Sequence, residues 1–181
     1  MKRFIKAIAG LILIFVLTIA VLEMTSSYKV TKTIHTDAPV ITRQQVLIDA
    51  PVETVWKVFS NVNNWPSWQQ EISTARINGP FQEGTSFDWK SNGLTIHSTL
   101  HTVEAYHTVG WSGPAFGSFA IHTWRFTPQG NHTLVQVNES MEGWLVTLLQ
   151  GRFQSGLDTS IVNWLQALKS TSEKENNQAA L

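Results

Sequence analysis

The sequence predicts an α+β fold: a curved antiparallel sheet of about seven strands around a long C-terminal helix, with two short helices after the first strand. The first observation is the stretch Gly143 to Lys169. There Leu145, Leu148, Leu149, Phe153, Leu157, Ile161, Trp164, Leu165 and Leu168 recur at three- and four-residue steps. That is the spacing of one helical face, while Arg152, Gln154, Asp158, Asn163 and Gln166 mostly fall on the other. A helix of roughly 26 residues is about 39 Å long and can cross a small domain. The second observation is a run of alternating segments between Ile72 and Met141, joined by short turn-rich links that favour antiparallel neighbours. The third is a helical interval between one leading strand and that run. A long late helix needs a broad apolar surface, and the strands before it are the only candidate.

The chain begins with a different signal. Lys2, Arg3 and Lys6 precede an uncharged run from Ala7 to Leu22. With Phe4 and Ile5 this reaches the ~17–25 residues that a bilayer span needs, Lys6 reaching toward the interface. Residues 1–22 therefore read as a transmembrane signal-anchor, contacting the membrane through residues 4–22, or as a cleaved signal peptide. The basic flank places the body on the extracytoplasmic side, or outside the cell after cleavage. Residues 23–39 are Ser/Thr/Lys-rich without strong periodicity and read as an exposed polar linker. The domain proper is expected over 40–172, with a polar tail over 173–181.

Charge and cysteine narrow the classes. The 181 residues balance 13 Lys and Arg against 13 Asp and Glu. The bases concentrate before residue 40, leaving a mildly acidic body with no electrostatic footprint for nucleic acid. The chain has no cysteine, so it has neither a disulfide nor a thiol for lipid attachment.

Within the body, Ile41, Val46 and Ile48 mark the first strand, which Asp49-Ala50-Pro51 stops. Asp49 can cap a helix, Pro51 suits its first turn, and Glu53 complements the positive end of its dipole. Val52, Val55, Trp56, Phe59 and Val62 follow at helical spacing. Pro66 makes Trp65 extended, so this helix ends before it and a second short one begins after it. Period-two strands are predicted over 73–78, 85–91, 94–105, 107–112, 118–127 and 133–141. Turns are placed at Gly79-Pro80, Asn92-Gly93, Gly113-Pro114 and Pro128 to Asn131, with Asn92-Gly93 the strongest hairpin signal.

Alternation also assigns faces. Ala120, His122, Trp124 and Phe126 share one face; Val135, Val137, Glu139 and Met141 share another; Phe87 pairs with Trp89, and Val109 with Trp111. Leu94, Ile96, Ser98 and Leu100 alternate with Thr95, His97, Thr99 and His101. The bulky set is expected to face the long helix.

Five stretches resemble a known family. Ile48 to Trp56, with Asn64-Trp65-Pro66-Ser67-Trp68 after it, is similar to the opening of the SRPBCC (START-like, polyketide cyclase/dehydrase) superfamily. Trp111-Ser112-Gly113, His122 to Phe126 and Trp164 to Lys169 resemble its strands and final helix, so the likeness spans roughly residues 41–172. It implies a helix-grip fold with a cavity between sheet and helix. The superfamily includes lipid and hormone carriers, aromatase/cyclases and hydroxylase domains. The N-terminal anchor is a departure from its simple soluble relatives.

Four features invite chemical readings. His97 and His101 have zinc-like spacing, but four residues along a strand separate side chains by roughly 13 Å, so both are read as solvated strand histidines. His122 and Glu139 face the expected cavity on adjacent strands. They satisfy each other or a trapped water, bind a ligand's polar end, or act as acid and base. The tryptophans read as core or cavity lining, with Trp65 and Trp68 at a rim. Gly151 and Gly156 kink the long helix, let it approach the sheet, or leave room for a ligand. No GxSxG, Walker motif or catalytic cysteine is present.

The leading functional reading is a membrane-tethered domain that binds a hydrophobic small molecule such as a lipid or polyketide-like compound. The cavity candidates are Trp65, Trp68, Phe87, Trp89, Ile96, Leu100, Trp111, His122, Trp124, Glu139, Phe153 and Leu157. No cofactor, metal or nucleic-acid partner is expected, and no residue is singled out as catalytic. The alternatives are a cyclase/dehydratase-type enzyme and a cavity-free interaction scaffold in an envelope complex.

Overall fold

A computed structural model describes residues 2–179. A helix α1 (Lys2–Thr25) precedes β1 (Val40–Ile48), α2 (Val52–Ser60) and a short 3-10 helix (Val62–Ser67). Then follow β2 (Ile72–Ile77), β3 (Ser86–Ser91), β4 (Leu94–Glu104), β5 (Thr108–Ala115), β6 (Ser118–Gln129) and β7 (His132–Glu142). Two helices, α3 (Trp144–Leu148) and α4 (Gln150–Ala179), close the chain. The strands form one antiparallel sheet in the order β1-β7-β6-β5-β4-β3-β2.

α4 runs beside β1. The Gln154 amide bonds both backbone groups of Ile41, its Nε2 donating to the carbonyl at 2.9 Å. Thr42 Oγ1 donates to Asp158 Oδ1 at 2.6 Å, and Lys169 Nζ donates to the Leu47 carbonyl at 2.7 Å. Leu157, Ile161, Trp164, Leu165 and Leu168 form its buried stripe, in the predicted phase. α2 buries Val52, Val55, Trp56, Val58 and Phe59.

The predicted single late helix is interrupted. Leu149, with φ −118° and ψ 33°, breaks it between α3 and α4. Leu148 and Leu149, expected on the buried stripe, are exposed as a result. At the other end α4 continues where a polar tail was predicted. Glu173 accepts a hydrogen bond from the Asp49 N–H at 2.8 Å, and Glu175 pairs with Lys57 at 3.4 Å. Residues 1, 180 and 181, parts of the predicted anchor and tail, lie outside the described residues.

Of four local expectations, one holds and three change. The Asn92-Gly93 hairpin forms with φ 48° and 85°, as that turn requires. Gly113-Pro114, however, stays within β5, and the turn falls at Phe116-Gly117. A Cβ on Gly113 would come within 1.9 Å of the His97 carbonyl oxygen, so only glycine permits this strand contact. Pro51, not Asp49, occupies the α2 cap, and its carbonyl accepts from the N–H groups of Thr54 and Val55. The second short helix begins before Pro66 rather than after it.

The segment predicted as an exposed linker packs instead on the outer face of the sheet. Tyr28 stacks on Phe119 with ring centroids 5.0 Å apart. The Thr31 N–H donates to Ser112 Oγ and the His35 N–H to Ser140 Oγ, both at 3.2 Å. Beneath this strap Phe119, Ile121, Ser112 and Ser140 are buried. Polar residues lacking periodicity thus find backbone-to-hydroxyl partners that no helical or strand pattern announces.

Candidate functional site

The space between the inner sheet face and α4 has two unlike ends. At one, Phe59, Trp65, Trp111, Trp124 and Trp164 interlock. Phe59 lies 4.8 Å from Trp124 and Trp65 lies 5.1 Å from Trp164, between ring centroids. These edge-to-face and tilted pairs are the arrangements that aromatic quadrupoles favour. Towards the β3–β4 and β5–β6 hairpins, the same space is an open cavity of about 450 Å³. Its walls are mostly apolar or small, among them Leu94, Ala115, Ala120, Met141, Leu145 and Leu149.

One cross-strand row lies where the filled end meets the open one. The register aligns Leu100 with Trp111, Trp111 with His122, His122 with Glu139, and Glu139 with Thr42. Trp111 stacks on the His122 ring at 4.7 Å with an interplanar angle of 20°. His122 Nδ1 lies 2.7 Å from Glu139 Oε2, and the two side chains are 8% and 3% exposed. The approach is close but lacks hydrogen-bond alignment, and neither atom has another protein partner. The indole N–H groups of Trp111 and Trp124 are also buried without acceptors. All four residues border a void of about 50 Å³ at the inner end of the cavity. Buried polar atoms are almost always paired, so this void is suited to a water or to the polar group of a ligand.

The structure sorts the sequence candidates by depth. Trp89, Ile96, His122, Glu139, Phe153 and Leu157 line the cavity. Trp111 and Trp124 border its inner void. Trp65, Phe87 and Leu100 are fully buried in the core outside it. Trp65 is therefore not at a rim: its indole N–H is bound by the Phe59 carbonyl at 2.7 Å. Trp68 packs edge-on against Trp164 and borders a separate polar hollow with Gln69 and Gln70.

Other lining residues escaped the sequence reading. Arg152, assigned to the far side of the helix, lines the cavity because the opening takes in the flank of the buried stripe, where Arg152, Gly156 and Ser160 follow one another at four-residue steps. Ser91, Gly113 and Ser160 also line it. Ser160 Oγ is fixed by donation to Glu71 Oε2 at 2.6 Å. Gly156 faces the opening with no atom within 4 Å of the place a Cβ would take, so it leaves room rather than allowing close contact.

The two strand histidines part company. His97 is exposed and its Nδ1 lies 2.5 Å from Asp88 Oδ1. Hydrogen bonds from His97 and Asn78 hold the Asp88 carboxyl below its ordinary range. His101, expected to be solvated, is instead buried, because a register shift between Leu100 and Thr102 turns it onto Gly110. Burial, then the neighbouring His122 and Lys32 charges, push its pKa down to about 4. Among the described residues no group of three or more His, Asp or Glu side chains is placed to hold a metal ion.

The family model for polyketide cyclase / dehydrase and lipid transport proteins matches residues 28–171. The chain belongs to that family. This SRPBCC protein thus has the fold its strand order and terminal helix indicate, in a family that binds hydrophobic ligands and includes polyketide cyclases. Its structure is similar to a hypothetical protein from Helicobacter pylori, with TM-score 0.68 and 14% identity over 81% of this chain and 99% of that one. It also resembles a Streptomyces aromatase/cyclase, with TM-score 0.65 and 14% identity over 74% and 93% of the two chains. A START superfamily protein from Mycobacterium smegmatis aligns with TM-score 0.55 and 15% identity over 77% and 98%. No curated protein matches the sequence. At these identities the solved structures speak for the fold alone.

Proposed function

We propose that this SRPBCC domain binds one hydrophobic small molecule of lipid or polyketide-like size, and that α1 tethers it to a membrane. The observation that carries the reading is the cavity of about 450 Å³, apolar along its walls and polar at its inner end. Concave apolar sites with a few convergent polar groups are the usual form of small-molecule pockets. A ligand with an apolar body and one hydrogen-bonding end matches the lining, its polar end meeting His122 and Glu139. A cavity-free scaffold would leave this opening unexplained.

The tether rests on α1, whose most apolar window has a mean hydropathy of 2.7. None of its residues is buried against the domain. Lys2, Arg3 and Lys6 favour a cytoplasmic N-terminus, which puts the cavity on the extracytoplasmic side.

Organic extraction of the full chain, purified gently in detergent, tests the binding reading. Mass spectrometry should recover one hydrophobic compound enriched over the detergent-solubilised membrane lipids. Recovery of bulk lipid only, in membrane proportions, would contradict it.

The misaligned His122–Glu139 contact supports one rival, an acid–base enzyme of the cyclase/dehydratase type. In that case His122→Ala and Glu139→Gln abolish turnover of the recovered compound while the fold persists. Retained conversion in both variants would exclude this role.

A further inference from the structure

We propose that the mouth of the cavity docks on the lipid bilayer that α1 spans, so that an amphiphile reaches the cavity from the lipid phase. The proposal rests on the tethered reading above. Its starting point is Glu23, near the end of α1. One carboxylate oxygen accepts from the Gly117 N–H and from the Trp144 indole N–H, each at 3.1 Å. Gly117 is the tip of the β5–β6 hairpin, and Trp144 opens α3. The Leu145 N–H in turn donates to the Gly117 carbonyl at 3.1 Å. Leu145, Ala115 and Ser118 all line the cavity. The exit of the membrane helix is therefore fastened to the cavity rim.

Helix geometry gives the depth. About 20 residues at 1.5 Å each cross a hydrocarbon core of about 30 Å, so a span entered at Phe4 ends near Glu23. The headgroup layer beyond is about 5–7 Å thick on each side. The direct hydrogen bond from the Gly117 N–H to Glu23 places the hairpin tip within that layer.

The rim has the chemistry for this position. Phe116 is 49% exposed, Leu148 72%, Leu149 41% and Leu94 40%, all at the end of the sheet where the cavity opens. Phe116 packs edge-on against Trp144 at 5.6 Å. Clustered exposed apolar tips mark an interaction surface, and an aromatic such as Trp144 suits the membrane interface. Exposed Arg152 at the mouth provides a cation for lipid phosphate. The opposite end of the sheet presents Asp49, Glu104, His107 and His132 beside Tyr106, which suits water.

The absence of cysteine makes a direct test clean. Full-length Phe116→Cys, Leu148→Cys and Gln129→Cys variants are labelled with an environment-sensitive fluorophore and reconstituted into phosphatidylcholine vesicles. All three should float with the vesicles. Labels at 116 and 148 should be blue-shifted and quenched about twofold or more by spin-labelled phosphatidylcholine, with 129 little changed. Adding Glu23→Ala should reduce the quenching at 148 without loss of flotation. Intact flotation with water-exposed labels at 116 and 148 would overturn the docking and leave the tether standing. Failure to float would overturn the tether, and the docking with it.

Discussion

The two ends of the space under α4 are built from the same sheet face, yet one is solid and the other hollow. The difference lies in side-chain volume. Trp111, Trp124 and Phe126 meet Phe59, Trp65 and Trp164 at the filled end, and their rings interlock. At the other end Gly113, Ala115, Ser118, Ala120, Gly156 and Ser160 occupy comparable inward positions and cannot meet in the middle. A protein that needed only stability would fill both. One end holds the helix on the sheet so that the other can stay open.

The contrast breaks most visibly at the filled end. Trp111→Ala should destabilise the full chain by about 4 kcal/mol, since a large buried aromatic loses both its burial and its packing. The shift in denaturant midpoint reads it. A loss below about 1 kcal/mol would mean that this end is as loosely packed as the other.

At the junction of the two ends, His122→Ala leaves the Glu139 carboxylate buried beside an empty site. The expected cost is about 3 kcal/mol. The double variant His122→Ala/Glu139→Ala should cost less than the sum of its singles, and strict additivity would show that the 2.7 Å contact carries no coupling.

On the outer face, His101 makes stability depend on pH. Its pKa in the fold is about 4 against 6.5 for the ordinary group. The unfolded chain therefore takes up a proton first as the pH falls. The stabilisation is complete above the unfolded value and is lost as the pH falls through 6.5 toward 4. About 1.5 kcal/mol should disappear between pH 6.5 and pH 5, and His101→Gln should flatten that part of the profile. An unchanged slope in the variant would assign the effect to other groups.

The smallest stability effect belongs to the hollow end. Gly156→Leu should raise stability by up to about 1 kcal/mol, because leucine favours the helix and nothing occupies its space. The same change puts a side chain into the cavity. A marked destabilisation would mean that the opening is not as roomy as its geometry indicates.

The sheet, the order of elements and the helical stripe were legible because periods of two and 3.6 survive in the sequence wherever one face is buried. Trp89, His122, Glu139 and Leu157 were legible as lining for the same reason. Alternation assigns a face but not a distance along the strand, so Phe87 and Leu100 fell in the solid core and not in the hollow. Arg152 was hidden because the cavity takes in the flank of the helical stripe, and His101 because the β4 register shift resets the phase on which the reading depends. The strap over Phe119 and Ile121 has no period at all. Its partners are single hydroxyls, Ser112 and Ser140, whose role shows only once the strands are side by side.

Native mass spectrometry of the full chain and its Gly156→Leu variant, released from the same detergent, tests the ligand cavity most directly. The expected result is a discrete hydrophobic adduct on the wild type that is absent from, or at least about tenfold reduced on, an equally folded variant. The same adduct on both proteins, or none on either, would contradict a binding cavity between the sheet and α4.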